Sequence, residues 1–127
     1  MTYLLDTNVC VNFLPTDQTG GDLYDFLFVD DDHLFFVIGD VSDKGMPAAL
    51  LMSNLQATLR SLSHFISSCH QCVANCNKLL YRTTTPDKFA TLTYTVLDTR
   101  THALTYCNAG HEQPVIVDRE GNVSRLD

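Results

Sequence analysis

The feature that most constrains the fold is a pair of apolar runs separated by a short acidic stretch. Residues 23–29 and 34–41 are rich in aromatic and β-branched side chains, and the four residues between them read DDDH. Two such runs joined by a short polar turn are typical of a β-hairpin. This part of the chain is therefore predicted to form antiparallel strands, because parallel strands need a much longer crossover connection.

An aspartate follows a glycine at each open end of this hairpin, at Gly21-Asp22 and at Gly39-Asp40. The start of one strand and the end of its partner lie at the same end of a hairpin, so Asp22 and Asp40 are expected to come close together. Two adjacent carboxylates repel each other unless a positive group lies between them. Hard oxygen ligands favour Mg²⁺ or Mn²⁺, and the glycines would let an ion and a phosphate approach the backbone. Two turn-forming aspartates are the alternative interpretation.

Two helices are predicted after the hairpin. Pro47 suits the first turn of a helix, and apolar residues then recur at spacings of three and four. A second helix is expected from about residue 68 to 82, and its cysteines are interpreted as core residues, since one helix cannot surround zinc tetrahedrally. The inward-facing residues are predicted to be Ala48, Leu51, Met52, Leu55, Leu59, Leu62 and Phe65 in the first helix, and Cys69, Cys72, Val73, Cys76, Leu79 and Leu80 in the second.

The remainder of the chain has the pattern of β-strands. The runs FATLTYTVLD and ALTYCNAG alternate between apolar and polar residues, and residues 114–118 and 122–126 form a further pair around a turn. Residues 2–14 are also interpreted as a possible strand. The resulting order of strands, two consecutive helices and strands predicts an α+β fold, with antiparallel strands and both helices packed on a sheet.

Composition excludes some classes of function. The formal net charge of −7 argues against nucleic-acid binding, which needs a basic surface. No apolar run approaches the roughly 18 residues of a membrane span, and the first residues lack the basic start of a signal peptide. The five cysteines are interpreted as free thiols. Together these features predict a cytoplasmic protein with neither a nucleic-acid nor a membrane partner.

Four motifs carry a family resemblance. GGDLYDF, VIGDVSDKGMPAALLM, FATLTYTVLD and YCNAGHEQPVIV follow one another across about residues 15–126. In order and spacing they resemble the SpoIIE-type branch of the metal-dependent (PPM) serine/threonine protein phosphatases. The resemblance implies a partial αββα sandwich and two divalent cations, Mn²⁺ or Mg²⁺, bridged by a water that attacks phosphoserine or phosphothreonine. The implied partner is a phosphoprotein of a bacterial signalling pathway, such as an anti-sigma-factor antagonist.

The resemblance also implies metal-binding residues. Asp22 matches the first metal-binding acid, Asp40 matches the acid that bridges both metals, and the backbone carbonyl of Val41 matches a further ligand. Asp25 follows Asp22 on the same strand, where alternation turns it to the other face of the sheet. Asp25 is therefore interpreted as a structural residue or one that supports the site from outside.

Three further residues lie in these motifs with two interpretations each. Asp43 stands where many relatives have glycine, and it either holds a metal-bound water or is a solvated loop acid. Lys44 either attracts phosphate or is an ordinary surface residue. His111, in the Ala-Gly-His turn, either acts as an acid near the site or stabilises the turn by a hydrogen bond.

The two ends of the chain depart from the family pattern. The family domain normally continues through a Thr-Asp-Gly motif and a last metal-binding acid, so residues 15–127 are expected to be the N-terminal and central part of a truncated domain. Residues 1–14 instead resemble the opening strand of PIN-domain toxin ribonucleases, with Asp6 in the position of a metal-binding acid. The sequence thus leaves three alternatives: an active phosphatase, a non-catalytic remnant that binds at most, and a metal-dependent ribonuclease.

Overall fold

The computed structural model describes residues 2–4, 21–65 and 68–127. Within these ranges the chain forms seven strands and two helices. In chain order they are β1 (Thr2–Leu4), β2 (Asp22–Phe28), β3 (His33–Val41), α1 (Met46–Ser63), α2 (Cys69–Thr83), β4 (Ala90–Asp98), β5 (Ala103–Ala109), β6 (Val115–Val117) and β7 (Val123–Arg125). The predicted order of strands, two helices and strands is confirmed.

Five strands form one antiparallel sheet in the order β1-β5-β4-β3-β2, and β6 pairs with β7 in a separate two-stranded sheet. The predicted hairpin is β2–β3, with Phe28 opposite Leu34 at the turn and Asp22 opposite Asp40 at the open end. The hairpin therefore forms one side of the sheet, and β2 is its edge strand.

The two helices cover one face of this sheet. The side chains that alternate toward them form the main core together with the buried stripes of both helices. The buried members are Leu23, Phe35, Val37, Val41, Leu51, Leu55, Leu59, Cys69, Cys72, Cys76, Leu92 and Tyr94. On the opposite face, Leu126 beyond β7 packs on Leu104 and Tyr106 of β5. Helices, large sheet and small sheet thus make three layers, consistent with the partial αββα sandwich.

The cysteines of α2 belong to this core, as predicted. Burial raises the pKa of the Cys69 thiol to about 11 and that of Cys76 to about 12, so both are protonated and unreactive near neutral pH. Two inward-facing assignments were wrong. Phe65 lies beyond the end of α1 and is 84% exposed, and Leu79 is 46% exposed because the buried stripe of α2 continues to Leu80 instead.

The structure describes only residues 2–4 of the N-terminal segment for which a strand and a PIN-like origin were predicted. Thr2–Leu4 is a strand, paired with residues 103–105 of β5. The rest of the strand expected over residues 2–14, the boundary at residue 14 and the PIN-like Asp6 lie outside the described residues and stay predictions. No helix in the described ranges is long and apolar enough to span a bilayer.

Candidate metal-binding and catalytic site

The open end of the β2–β3 hairpin places two carboxylates side by side. Asp22 and Asp40 are directly opposite each other, and both are exposed on the sheet face away from the helices. The Val41 N–H donates to the Gly21 carbonyl at 2.8 Å, so the neighbouring Asp22–Asp40 pair is of the non-hydrogen-bonded kind. In such pairs the Cβ atoms lie about 5 Å apart, and like charges destabilise the sheet.

In the part of the chain that the structure describes, no positively charged or hydrogen-bonding group offsets the repulsion between the two carboxylates. Among residues 2–4, 21–65 and 68–127, neither carboxylate has a hydrogen-bond or ion-pair partner. The same ranges contain no group of three or more His, Cys, Asp or Glu side chains arranged to hold a metal ion. The pair is a two-carboxylate arrangement whose chemistry, oxygen donors of like charge open to solvent, fits a hard divalent cation.

The glycine before each aspartate is explained by strand packing. A Cβ on Gly39 would lie 2.5 Å from the carbonyl oxygen of Thr91 and 2.9 Å from Cβ of Leu92, both on β4. A Cβ on Gly21 would overlap the Val41 carbonyl oxygen, the group that the family resemblance assigns to the metal. Close approach of protein backbone therefore requires both glycines, whether or not an ion also approaches there.

A polar row continues across the sheet from the aspartate pair. Thr91 on β4 is opposite Asp40, and the Nδ1 atom of the His111 ring lies 3.0 Å from Thr91 Oγ1. The order across this end of the sheet is thus Asp22, Asp40, Thr91 and His111. Sequence reasoning named three of these residues and missed Thr91, whose only signal was the register of β3 with β4.

The His111 turn is held by the side-chain amide of Asn108, which bonds main-chain atoms of His111. The His111 N–H donates to Asn108 Oδ1 at 2.8 Å, and Asn108 Nδ2 donates back to the His111 carbonyl at 3.0 Å. Gly110 between them has φ 72°, a left-handed conformation that glycine adopts without strain. Asn108 therefore supplies the hydrogen bonds that stabilise this turn, and the imidazole ring of His111 contacts Thr91 instead.

The loop after Asp40 is tied to the segment that enters β4. The Ser42 N–H donates to the Phe89 carbonyl at 2.8 Å, and the Phe89 N–H donates to Ser42 Oγ at 2.9 Å. Asp43 forms an ion pair with Lys88, so it is a paired loop acid rather than a fully solvated one. Its φ of 74° is the left-handed conformation for which a glycine would be favoured. Lys44 is exposed.

Sequence reasoning also missed an ion pair behind the site. Asp25 is 6% exposed on the helix side of β2, and its two oxygens accept from Nε and Nη2 of Arg60 on α1, each at 2.5 Å. Asp25 Oδ1 also accepts the Phe26 N–H at 2.9 Å. The hydrogen bond to Asp25 raises the pKa of the Arg60 guanidinium. The sequence did contain a signal for this ion pair: Asp25 was predicted on the sheet face opposite the metal site, and a carboxylate buried in the core needs a positively charged or hydrogen-bonding partner.

Comparisons with known proteins identify the chain's relatives. Residues 30–127 match the family model described as Stage II sporulation protein E (SpoIIE). Asp22 lies outside that match, so its pairing with Asp40 rests on the structure. Protein IcfG of Synechocystis sp. is 31% identical over 90% of this chain, and the phosphoserine phosphatase RsbU of Bacillus subtilis is 31% identical over 86%. The chain spans only 22% and 32% of those two proteins.

Two solved structures have a similar fold. The structure of the RsbU and RsbW domains of Rv1364c from Mycobacterium tuberculosis matches 90% of this chain and 32% of its own, with 28% identity and a TM-score of 0.76. The phosphatase domain of SpoIIE from Bacillus subtilis matches 84% of this chain and 45% of its own, with 17% identity and a TM-score of 0.54. At that identity the second structure supports the fold alone.

Proposed function

The chain belongs to the SpoIIE-type phosphatase family, and on that premise we propose that it hydrolyses phosphoserine or phosphothreonine in a bacterial signalling protein. The observation that carries the proposal is the Asp22–Asp40 pair: two exposed, directly opposed carboxylates without a described partner. Like charges held at this spacing are unfavourable in an isolated sheet and favourable around cations.

Asp22, Asp40 and the Val41 carbonyl would hold the two divalent cations, Mn²⁺ or Mg²⁺. When bound, such ions neutralise the phosphoryl oxygens and supply an activated water for in-line attack. Gly21 keeps the space beside the Val41 carbonyl clear, and Gly39 keeps β3 close against β4. The Ser42–Phe89 hydrogen bonds limit movement of the loop that follows Asp40.

The proposed substrate is a phosphorylated regulator, such as an anti-sigma-factor antagonist. The support is that one relative is named a phosphoserine phosphatase and that a similar structure combines RsbU and RsbW domains. We place the protein in the cytoplasm, because Cys69, Cys72, Cys76 and Cys107 are free thiols, as expected in a reducing compartment. Lys44, exposed in the loop that follows Asp40, is proposed to attract the phosphate.

The test is hydrolysis of a phosphoserine peptide with Mn²⁺ present and absent. Asp40→Asn is expected to abolish the metal-dependent turnover, because it removes the charge that both cations would share. Asp31→Asn is the matched control: it makes the same change of charge at the exposed turn of the same hairpin. A metal-replete chain without turnover, or full activity in Asp40→Asn, would refute the proposal.

A non-catalytic binding module is the second candidate. It is favoured by one observation, the lack in the described ranges of a third His, Cys, Asp or Glu ligand grouped with the aspartate pair. A cooperative thermal transition with no turnover at any Mn²⁺ concentration would support this alternative, whereas Asp40-dependent turnover would exclude it.

A further inference from the structure

We propose that the ion pair between Asp43 and Lys88 is a latch that sets the affinity of the site for divalent cations, by holding the Val41 carbonyl in place. This inference rests on the proposed function, in which that carbonyl supplies a ligand next to Asp40. Asp43 and Lys88 are positioning residues, and neither is assigned to an ion or to the substrate.

The latch continues the register of β3 with β4 beyond the end of the sheet. Val41 is the last residue of β3 and lies opposite Ala90, the first residue of β4. The next residue of each segment is joined by the two hydrogen bonds already described, and the residue after that by the ion pair of Asp43 with Lys88. The pairing of the two segments therefore extends two residues past β3.

The direction of the Val41 carbonyl depends on this extension. That carbonyl and the Ser42 N–H belong to one planar peptide unit and point in opposite directions. The Ser42 N–H donates to the Phe89 carbonyl at 2.8 Å, on the β4 side, so the Val41 oxygen is directed toward Gly21 on the β2 side. Rotation of this peptide unit would break the hydrogen bond and turn the proposed metal ligand away.

Two features of the loop favour such a rotation. Phe89 is 65% exposed, so water competes for the hydrogen bonds of its main chain. Asp43 has φ 74°, a left-handed conformation that a residue other than glycine adopts at a cost. The ion pair with Lys88 offsets this cost in the observed conformation. It thus stabilises one arrangement of a strained and solvated loop.

Lys88 is held as the fixed partner of the latch. Its N–H donates to the Thr85 carbonyl at 3.0 Å, and its Nζ lies 3.2 Å from Oδ2 of Asp87. Its side chain is 28% exposed and that of Asp43 is 44% exposed, so water screens the pair in part. A pair of this kind is expected to change a binding constant about 5-fold.

Mn²⁺ affinity, measured without substrate, tests the latch. Free Mn²⁺ is counted by electron paramagnetic resonance during a titration, at a temperature where circular dichroism shows each variant to be folded. Lys88→Met is expected to raise the Kd about 5-fold, and Lys88→Arg, which keeps the ion pair, to leave it within about 2-fold of the native value.

The sign of the change separates positioning from charge. Lys88→Met removes a positive charge, which by itself would tighten the binding of a cation. Lys78→Met makes the same change at an exposed position of α2 and is expected to leave the Kd unchanged. An unchanged or lowered Kd in Lys88→Met would overturn the proposal.

Two substitutions of Asp43 separate positioning from direct contact with an ion. Asp43→Ala and Asp43→Gly both remove the carboxylate, but only glycine adopts φ 74° without strain. We expect Asp43→Ala to raise the Kd about 5-fold and Asp43→Gly to change it less than about 2-fold. Equal losses in the two variants would show that the carboxylate itself attracts the ion, and would exclude the latch.

The failure of this inference can be distinguished from that of the proposed function. Mn²⁺ binding that is lost in Asp40→Asn, with no hydrolysis of a phosphoserine peptide, refutes the proposed function, while a raised Kd in Lys88→Met still supports the latch. A native chain with turnover, whose Kd is the same in Lys88→Met, refutes the latch alone. A native chain without Asp40-dependent Mn²⁺ binding refutes both.

Discussion

Gly39 offers a direct test of how the site is built. The substitution Gly39→Ala adds a single methyl group on the helix side of β3, directly before Asp40. That methyl carbon would lie 2.5 Å from the Thr91 carbonyl oxygen, 2.9 Å from Cβ of Leu92 and 3.2 Å from Leu92 Cα. Two of these three atoms are backbone atoms of β4, so no side-chain rotation relieves the overlap.

The magnitude follows from this geometry. To reach ordinary contact, β3 and β4 must separate locally by about 0.9 Å, since the closest approach is 2.5 Å. Overpacking of this kind costs about 1–3 kcal/mol, and a weakened ladder hydrogen bond adds about 1 kcal/mol. The better strand propensity of alanine returns about 0.5 kcal/mol. We expect Gly39→Ala to lower the free energy of unfolding by about 2 kcal/mol, and the melting temperature by about 8 °C.

Thermal and urea unfolding followed by circular dichroism measure this loss. Ser124→Thr is the control, because it also adds one methyl group to a strand residue, on the exposed face of β7. The control is expected to change the unfolding free energy by less than about 0.5 kcal/mol. If Gly39→Ala melts within about 1 °C of the native chain, the close approach of β3 to β4 is not what requires glycine at this position.

Two further predictions concern stability. Arg60→Met is expected to lower the unfolding free energy by about 2 kcal/mol, because it leaves the Asp25 carboxylate buried and unpaired; the loss is smaller than for a fully buried ion pair, since the Arg60 guanidinium is half exposed. Arg100→Met, at an exposed turn, is the control. A double-mutant cycle with Asp25→Asn that shows no coupling energy would contradict the pairing of Arg60 with Asp25. Cys69 and Cys76 have folded-state pKa values of about 11 and 12 against an ordinary 9.0, so stability present below pH 9 should fall as the pH rises toward 11. Urea denaturation across this range measures the slope, which Cys76→Ala should reduce; an unchanged slope would show that the thiol is not the titrating group.

Much of the fold could be predicted because its signals are local. The apolar runs around residues 30–33 identified the hairpin, and helical spacing identified α1 and α2 and the buried cysteines. The hairpin register also follows from those runs, which is why the pairing of Asp22 with Asp40 was foreseeable. The two residues wrongly predicted to face inward, Phe65 and Leu79, lie at or near helix ends. There the helical spacing of apolar residues does not show where the helix stops packing against the sheet.

The sequence by itself determined the element order, the hairpin and the pair of aspartates at its open end. Only the tertiary structure decided that backbone contacts require Gly39, that Arg60 neutralises the buried Asp25, and that Thr91 binds the ring of His111. Each of these contacts joins residues from elements far apart in the chain. Their partners depend on how strands are ordered in the sheet and which face the helices cover, and hydrophobic periodicity along one segment carries no information about either.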